Sequence, residues 1–186
     1  MSKTLSLLSL LASLAFSPLA QAGTYKGQSA GTLTFHMVAS LHAIKGTAKS
    51  FSSSLDTDAL KGSLVVQTKA MTTHLGPRDT KMHEFCLESE KFSTITFSVN
   101  SIDGGTEGLK TGEGTGKVNL KGSLKVRDVT KSMSIPATYS FAGDTLTLTG
   151  EHAFKWTDFN VPDPSIFIST LYPDVTVKFS VNLKSE

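Results

Sequence analysis

The chain has a single cysteine in 186 residues and a formal charge of only +2. A lone Cys86 permits no internal disulfide, so the fold must be held by its core and its backbone ladders. A balance of 18 basic and 16 acidic residues gives no basic face for nucleic acid and no cue to a strongly acidic partner. After residue 22 there is no second long apolar run, no internal repeat, no heptad pattern and no low-complexity tract. A GxSxG turn or comparable nucleophile motif is also missing.

Alternation is what the chain has. Apolar residues recur at every second position in Leu33, Phe35, Met37; Ile95, Phe97, Val99; Leu124, Val126; Met133, Ile135, Ala137, Tyr139, Phe141; Leu146, Leu148; and Val175, Val177, Phe179, Val181, Leu183. Successive strand side chains point to opposite faces, so each segment has one dry and one wet side. Many half-buried antiparallel strands predict an all-β sandwich or barrel. A modest barrel either fills its interior with side chains or holds one elongated apolar ligand.

Residues 1–22 read as a secretory signal peptide: Lys3 makes a positive start, Leu5 to Phe16 an apolar stretch too short for a bilayer, and Ala20, Gln21, Ala22 a small-x-small cleavage pattern. A retained anchor is the alternative, but no charges follow Ala22 to flank it. The expected mature chain starts near Gly23, and residues 23–186 form one domain able to bury roughly two thirds of its unfolded surface. Cys86, between Phe85 and Leu87, is expected to be buried and inert.

Glycines punctuate the strands. Gly62 opens one, Gly104 and Gly105 close another, and Gly143 with Asp144 predicts a tight hairpin between Tyr139 and Leu146. The glycine-rich stretch from Asp103 to Gly116 predicts a hairpin loop, with a lid over a barrel mouth as the alternative. One segment breaks the beat: from Pro77 through Leu87, Met82, Phe85 and Cys86 have helical spacing, and Pro77 and Asp79 suit a helix start.

This segment is also where the chain resembles a known family. Arg78, Asp79, Thr80, Lys81, Met82, His83, Glu84, Phe85, followed by Phe92, Ser93, Thr94, Ile95, Thr96, Phe97, is similar to the signature of the YceI-like family. Val118, Gly122, Leu124, Val126, Val129, Thr130, Lys131 and Ile135 resemble its central hairpin, and Thr157 to Ser165 its late proline-containing loop. The chain departs from the pattern at Lys81 and Met82, at Arg127 and Asp128, and at Asn160, which stands where the family has glycine.

The resemblance implies a periplasmic, lipocalin-like antiparallel barrel of about eight strands, with a short helix inserted near residues 77–87. It also implies a polyisoprenoid or similar long amphiphile held inside, for transport, storage or sensing. The inward-pointing candidates are Phe35, Met37, Phe97, Val99, Met133, Ile135, Phe141, Phe154, Trp156 and Phe179. A ligand-free structural or stress-response protein with these residues packed as an ordinary core is the alternative. Arg78 offers a planar fork for a pyrophosphate, while its neighbour Asp79 argues equally for a structural pairing.

Catalysis finds little support. His36, His42, His74, His83 and His152 are scattered, with His36 on the outward face of its strand. Asp79 and His83, four apart with His74 nearby, have a spacing open to a metal, but exposed polar residues explain it more simply. Asp158 beside Trp156 reads as a turn-former rather than a general acid. The reading is therefore a binding protein with no catalytic residue, no metal, no cofactor beyond a bound lipid, no nucleic-acid partner and no permanent membrane anchor. A homodimer is left open.

Overall fold

The computed structural model describes residues 23–186, and the expected signal peptide lies outside them. Strands β1 (Thr24–Gln28) and β2 (Gly31–Ala39) form one path broken at Ser29 and Gly31, both at positive φ. At Gly31 a Cβ would sit 2.0 Å from the Ser180 carbonyl oxygen, so only glycine lets β1–β2 bend there against its neighbour. Likewise β3 (Ala43–Ala48) continues into β4 (Phe51–Asp56), and β5 (Lys61–Gln67) into the short β6 (Met71–Thr72) through a 3₁₀ turn at Thr68–Ala70. With β7 (Thr94–Gly104), β8 (Thr115–Val126), β9 (Val129–Ala142), β10 (Thr145–Lys155) and β11 (Leu171–Ser185), this makes eight strand paths.

Each path pairs antiparallel with the next, and β11 pairs with both β1 and β2. The sheet thus closes into an up-and-down barrel with no free edge around its closed end. The β9–β10 hairpin turns on Gly143 and Asp144 as expected, with Gly143 at the positive φ that a primed two-residue turn demands.

The two ends differ. At the closed end Tyr25, Leu55, Leu146 and Leu183 are almost free of solvent, and a short helix packs against Tyr139. The glycine-rich stretch read as a hairpin loop in fact contains α2 (Glu107–Thr111; α1 lies at Gly76–Lys81), closed by Gly112 at φ 73. Its one large apolar residue, Leu109, is fully buried, which is why a single turn too short for periodicity folds at all.

At the other end the ladders part along two seams. The β5–β7 ladder stops at Gln67 and Thr94, and residues 73–93 bridge the gap. The β9–β10 ladder stops at Gly150 and Ala137, where the next β9 residue is Pro136, which has no N–H to donate. Residues 156–170 run from β10 to β11 at this end. The helix expected at 77–87 is α1 followed by a π-helical turn at Met82–Cys86. Asp79 fastens it: its carboxylate accepts hydrogen bonds from Thr72 Oγ1 (2.6 Å), the Thr73 amide (2.6 Å) and Thr73 Oγ1 (2.5 Å).

Candidate binding cavity

Between the filled end and the split end the barrel encloses a cavity of about 550 Å³. Small-molecule sites typically occupy roughly 300–1,000 Å³. Its walls are almost wholly apolar and are built in layers that the strand register defines. Phe154, Val175, Met37 and Ile44 make one layer, and His152, Val177, Phe35 and Gly46 the next. Deeper lie Gly150, Phe179 and Leu33. Across the barrel Val99, Phe97, Leu124, Leu120, Ile135 and Met133 complete the wall.

Two glycines shape this interior. A Cβ at Gly46 would sit 2.0 Å from the Phe35 ring and one at Gly150 2.5 Å from the Phe179 ring. Each ring therefore lies flat across a glycine of the neighbouring strand instead of reaching into the cavity.

Of the residues singled out from sequence, Phe35, Met37, Phe97, Val99, Met133, Ile135, Phe154, Trp156, Phe179 and Arg78 all line the cavity. Trp156 satisfies its indole N–H on the Tyr172 carbonyl (2.9 Å), leaving its apolar body to the wall. Phe141 is the exception. It points inward but lies at the closed end, edge-on to Tyr25 (centroids 5.6 Å) and Tyr139 (6.0 Å). Alternation reports a residue's face and not its depth, and Phe141 is eight residues, about 26 Å of strand, from Met133.

Arg78 lines the rim and is also tied into the fold. Its Nε donates to Thr73 Oγ1 (2.8 Å) and its Nη2 to the Thr73 carbonyl (2.7 Å), while Nη1 faces His42 Nε2 at 3.5 Å. Lys81 donates to the Pro164 carbonyl (2.6 Å) from the same helix. Burial pushes the Asp79 carboxyl up, but the Thr72 and Thr73 hydrogen bonds and the nearby His83 outweigh it and hold it below the usual carboxylate range. That arrangement leaves Asp79 serving the loop, and among the described residues no group of three His, Cys, Asp or Glu side chains is placed to hold a metal ion. Cys86 is buried in the wall, and burial raises its thiol pKa.

Arg127 was not among the sequence candidates, yet it organises the mouth. It sits at the tip of the β8–β9 hairpin with φ 55. Its guanidinium pairs with Glu88 and donates to the carbonyls of Asn160 (3.0 Å) and Cys86 (3.4 Å), with the Phe92 ring 5.5 Å away. One side chain thereby joins the segment at each seam to the hairpin between them. Glu88 (φ 46) and Asn160 (φ 52) are left-handed as well, a conformation that glycine adopts without strain and asparagine tolerates. His152, read from sequence only as one of five scattered histidines, has strand parity with Leu146, Leu148 and Phe154 and so lies on the inner face.

A closed antiparallel barrel with an apolar cavity open at one end is a lipocalin-like barrel. The sequence model of the YceI-like domain matches residues 26–183, so the chain belongs to the YceI-like family. No curated protein matches it. Among solved structures it is similar to a polyisoprenoid binding domain from Saccharophagus degradans implicated in plant cell wall breakdown, with TM-score 0.75 and 13% identity over 89% of this chain and 100% of that one. It is also similar to BcnA of Burkholderia cenocepacia (TM-score 0.70, 16% identity, 83% of this chain and 96% of that one). A third is the YCEI protein of Campylobacter jejuni (TM-score 0.57, 14% identity, 100% and 99%). At these identities the likeness is one of fold.

Proposed function

We propose that this chain is an exported periplasmic binding protein that holds a polyisoprenoid or similar long amphiphile in the barrel, as carrier, store or sensor. The observation that carries the reading is the cavity itself, about 550 Å³ with apolar walls and a mouth at one end. At about 24 cal/mol for each Å³ of apolar space left empty, a void of this size costs on the order of 10 kcal/mol, as much as the whole stability of a typical domain. A packed core does not carry such a space, and an apolar ligand offsets the cost by about 25 cal/mol for each Å² of its own surface removed from water. Family membership and the polyisoprenoid-binding neighbour support the same class of ligand. Flexible Met37, Met71, Met82 and Met133 around the wall suit the branched methyls of a prenyl chain.

The role is binding and not catalysis, with no metal or further cofactor and with the lipid as partner. The signal-like residues 1–22 support export, and their cleavage leaves no permanent anchor. Native mass spectrometry of protein purified from its exported form, followed by lipid extraction, is the test. Retention of a long isoprenoid or other amphiphile is the expected result. Ligand-free protein that also fails to bind added prenyl lipid overturns the reading.

A further inference from the structure

His152 is the titratable side chain that the inner face of β10 carries into the cavity. The register surrounds it with hydrocarbon: Val177 and Phe35 share its layer, Phe154 and Val175 lie toward the mouth, and Phe179 lies below. No residue among those described gives it a hydrogen bond or an ion pair, and burial alone holds its pKa below the ordinary histidine value. The other titratable groups at the cavity are the buried Cys86 thiol in the π-helical turn and, at the rim, His42 of the β2–β3 turn with Arg78 and Lys81 of α1, the last two bonded to Thr73 and Pro164. On the two flanking strands the inward positions Met133, Ile135 and Ala137 of β9 and Val175, Val177 and Phe179 of β11 are apolar, and Lys131, which shares that parity opposite Leu124, is exposed at the mouth end of β9.

An unbonded imidazole in an apolar wall is a cost that leucine would not carry, and a neutral ring offers one donor and one acceptor. Four residues, about 13 Å of strand, separate it from Trp156 at the mouth. A hydroxyl or carbonyl brought that deep finds a partner there. A phosphate finds no counter-charge, and its desolvation keeps it at the rim.

We propose that His152 is a hydrogen-bonding anchor that selects amphiphiles bearing an uncharged oxygen and holds that oxygen inside the cavity. The proposal rests on the lipid-binding reading above and narrows it to one class of head group.

The test titrates delipidated protein with geranylgeraniol and with the hydrocarbon of the same skeleton lacking the hydroxyl. His152→Leu weakens the alcohol about fivefold, the scale of one net hydrogen bond, and leaves the hydrocarbon unchanged or tighter. His152→Gln recovers part of the loss. Comparing ratios between proteins cancels the different aqueous solubilities of the two probes. Equal effects on both probes, or none on either, overturn the anchor while leaving lipid binding intact. Failure of wild type to bind either probe overturns the lipid reading instead. In wild-type protein the ring nitrogen resonances of His152 must shift on adding the alcohol and stay still with the hydrocarbon, so the question is decided even where the leucine variant does not fold.

Discussion

Replacing Arg127 by alanine should loosen the mouth of the barrel without touching its closed end. The truncation strands the Cys86 and Asn160 carbonyls and leaves Glu88 unpaired, all held by a guanidinium side chain only 14% exposed. The Cys86 carbonyl, left unsatisfied in a partly buried site, costs about 1–3 kcal/mol, and the exposed Asn160 carbonyl, which water reaches, adds little. The Glu88 pair is about a third exposed on the acid side, so screening reduces it to a fraction of a kcal/mol. The sum is about 2–3 kcal/mol, and at roughly 2–4 °C per kcal/mol for a domain of this size it lowers the melting temperature by about 5–10 °C. Arg127→Gly makes the reasoning sharper. It removes the same contacts but relieves the left-handed backbone at φ 55, a strain on the order of 1 kcal/mol, so it should melt about 2–4 °C above the alanine variant. Thermal melts of delipidated proteins read both numbers, and hydrogen exchange should quicken in residues 82–92 and 156–161 while α2 is unaffected. An alanine variant that melts with wild type refutes the latch, and equal melting of the alanine and glycine variants refutes the strain.

Met133→Trp should cut lipid capacity with little change in melting temperature, because the new ring enters open cavity; a loss of about 1–3 kcal/mol with capacity retained would mean that this wall is already packed. Gly46→Ala should drive the Phe35 ring inward and reduce both stability and lipid uptake, measured by melting and by mass spectrometry of bound lipid; unchanged uptake refutes the ring-over-glycine account. Arg78→Ala should lower the melting temperature and weaken prenyl alcohol and prenyl pyrophosphate together, since the guanidinium is committed to Thr73; a loss confined to the pyrophosphate with an unchanged melt refutes this. Acidification should destabilise the protein in two windows. His152 has a lowered folded pKa, so the unfolded chain binds its proton first and stability falls as pH drops below the ordinary 6.5. Asp79 and Asp163, also lowered, cost stability only below the ordinary 3.8, and a His152→Leu melt series that keeps the upper window refutes its assignment.

Alternation made the strands and their inner faces legible because the side-chain period of a strand is two whatever the tertiary context. Thus Phe35, Met37, Phe97, Val99, Met133 and Ile135 could be placed on the wall from sequence. Depth could not, because nothing local distinguishes Phe141 at the sealed end from Met133 in the hollow one. Helix α2 was hidden because a five-residue turn among glycines has no period and depends on burying Leu109. His152 was legible in principle; Gly150 interrupts the apolar series before it, and a polar residue on an inner face is easily assigned to the outer one. Arg127 was not legible at all, since its partners lie 33 to 41 residues away and meet only through barrel closure.

The separation of a solid half from a hollow half has causes along the chain. Tyr25, Tyr139 and Phe141 fill the closed end with edge-to-face rings, and Leu109 is buried with them. Toward the other end Pro136 ends one ladder and the departure of the chain into residues 73–93 ends another, so the wall cannot draw in around its own side chains. A fully laddered barrel of eight strands is narrow enough to be filled by its side chains. Parting two ladders widens one end, and the widened end then needs a separate fastening, which the Asp79 loop and the Arg127 guanidinium supply. The closed end is thus held by its filled core, whereas the hollow end keeps its cavity only because these polar fastenings take over the work of the missing ladder bonds.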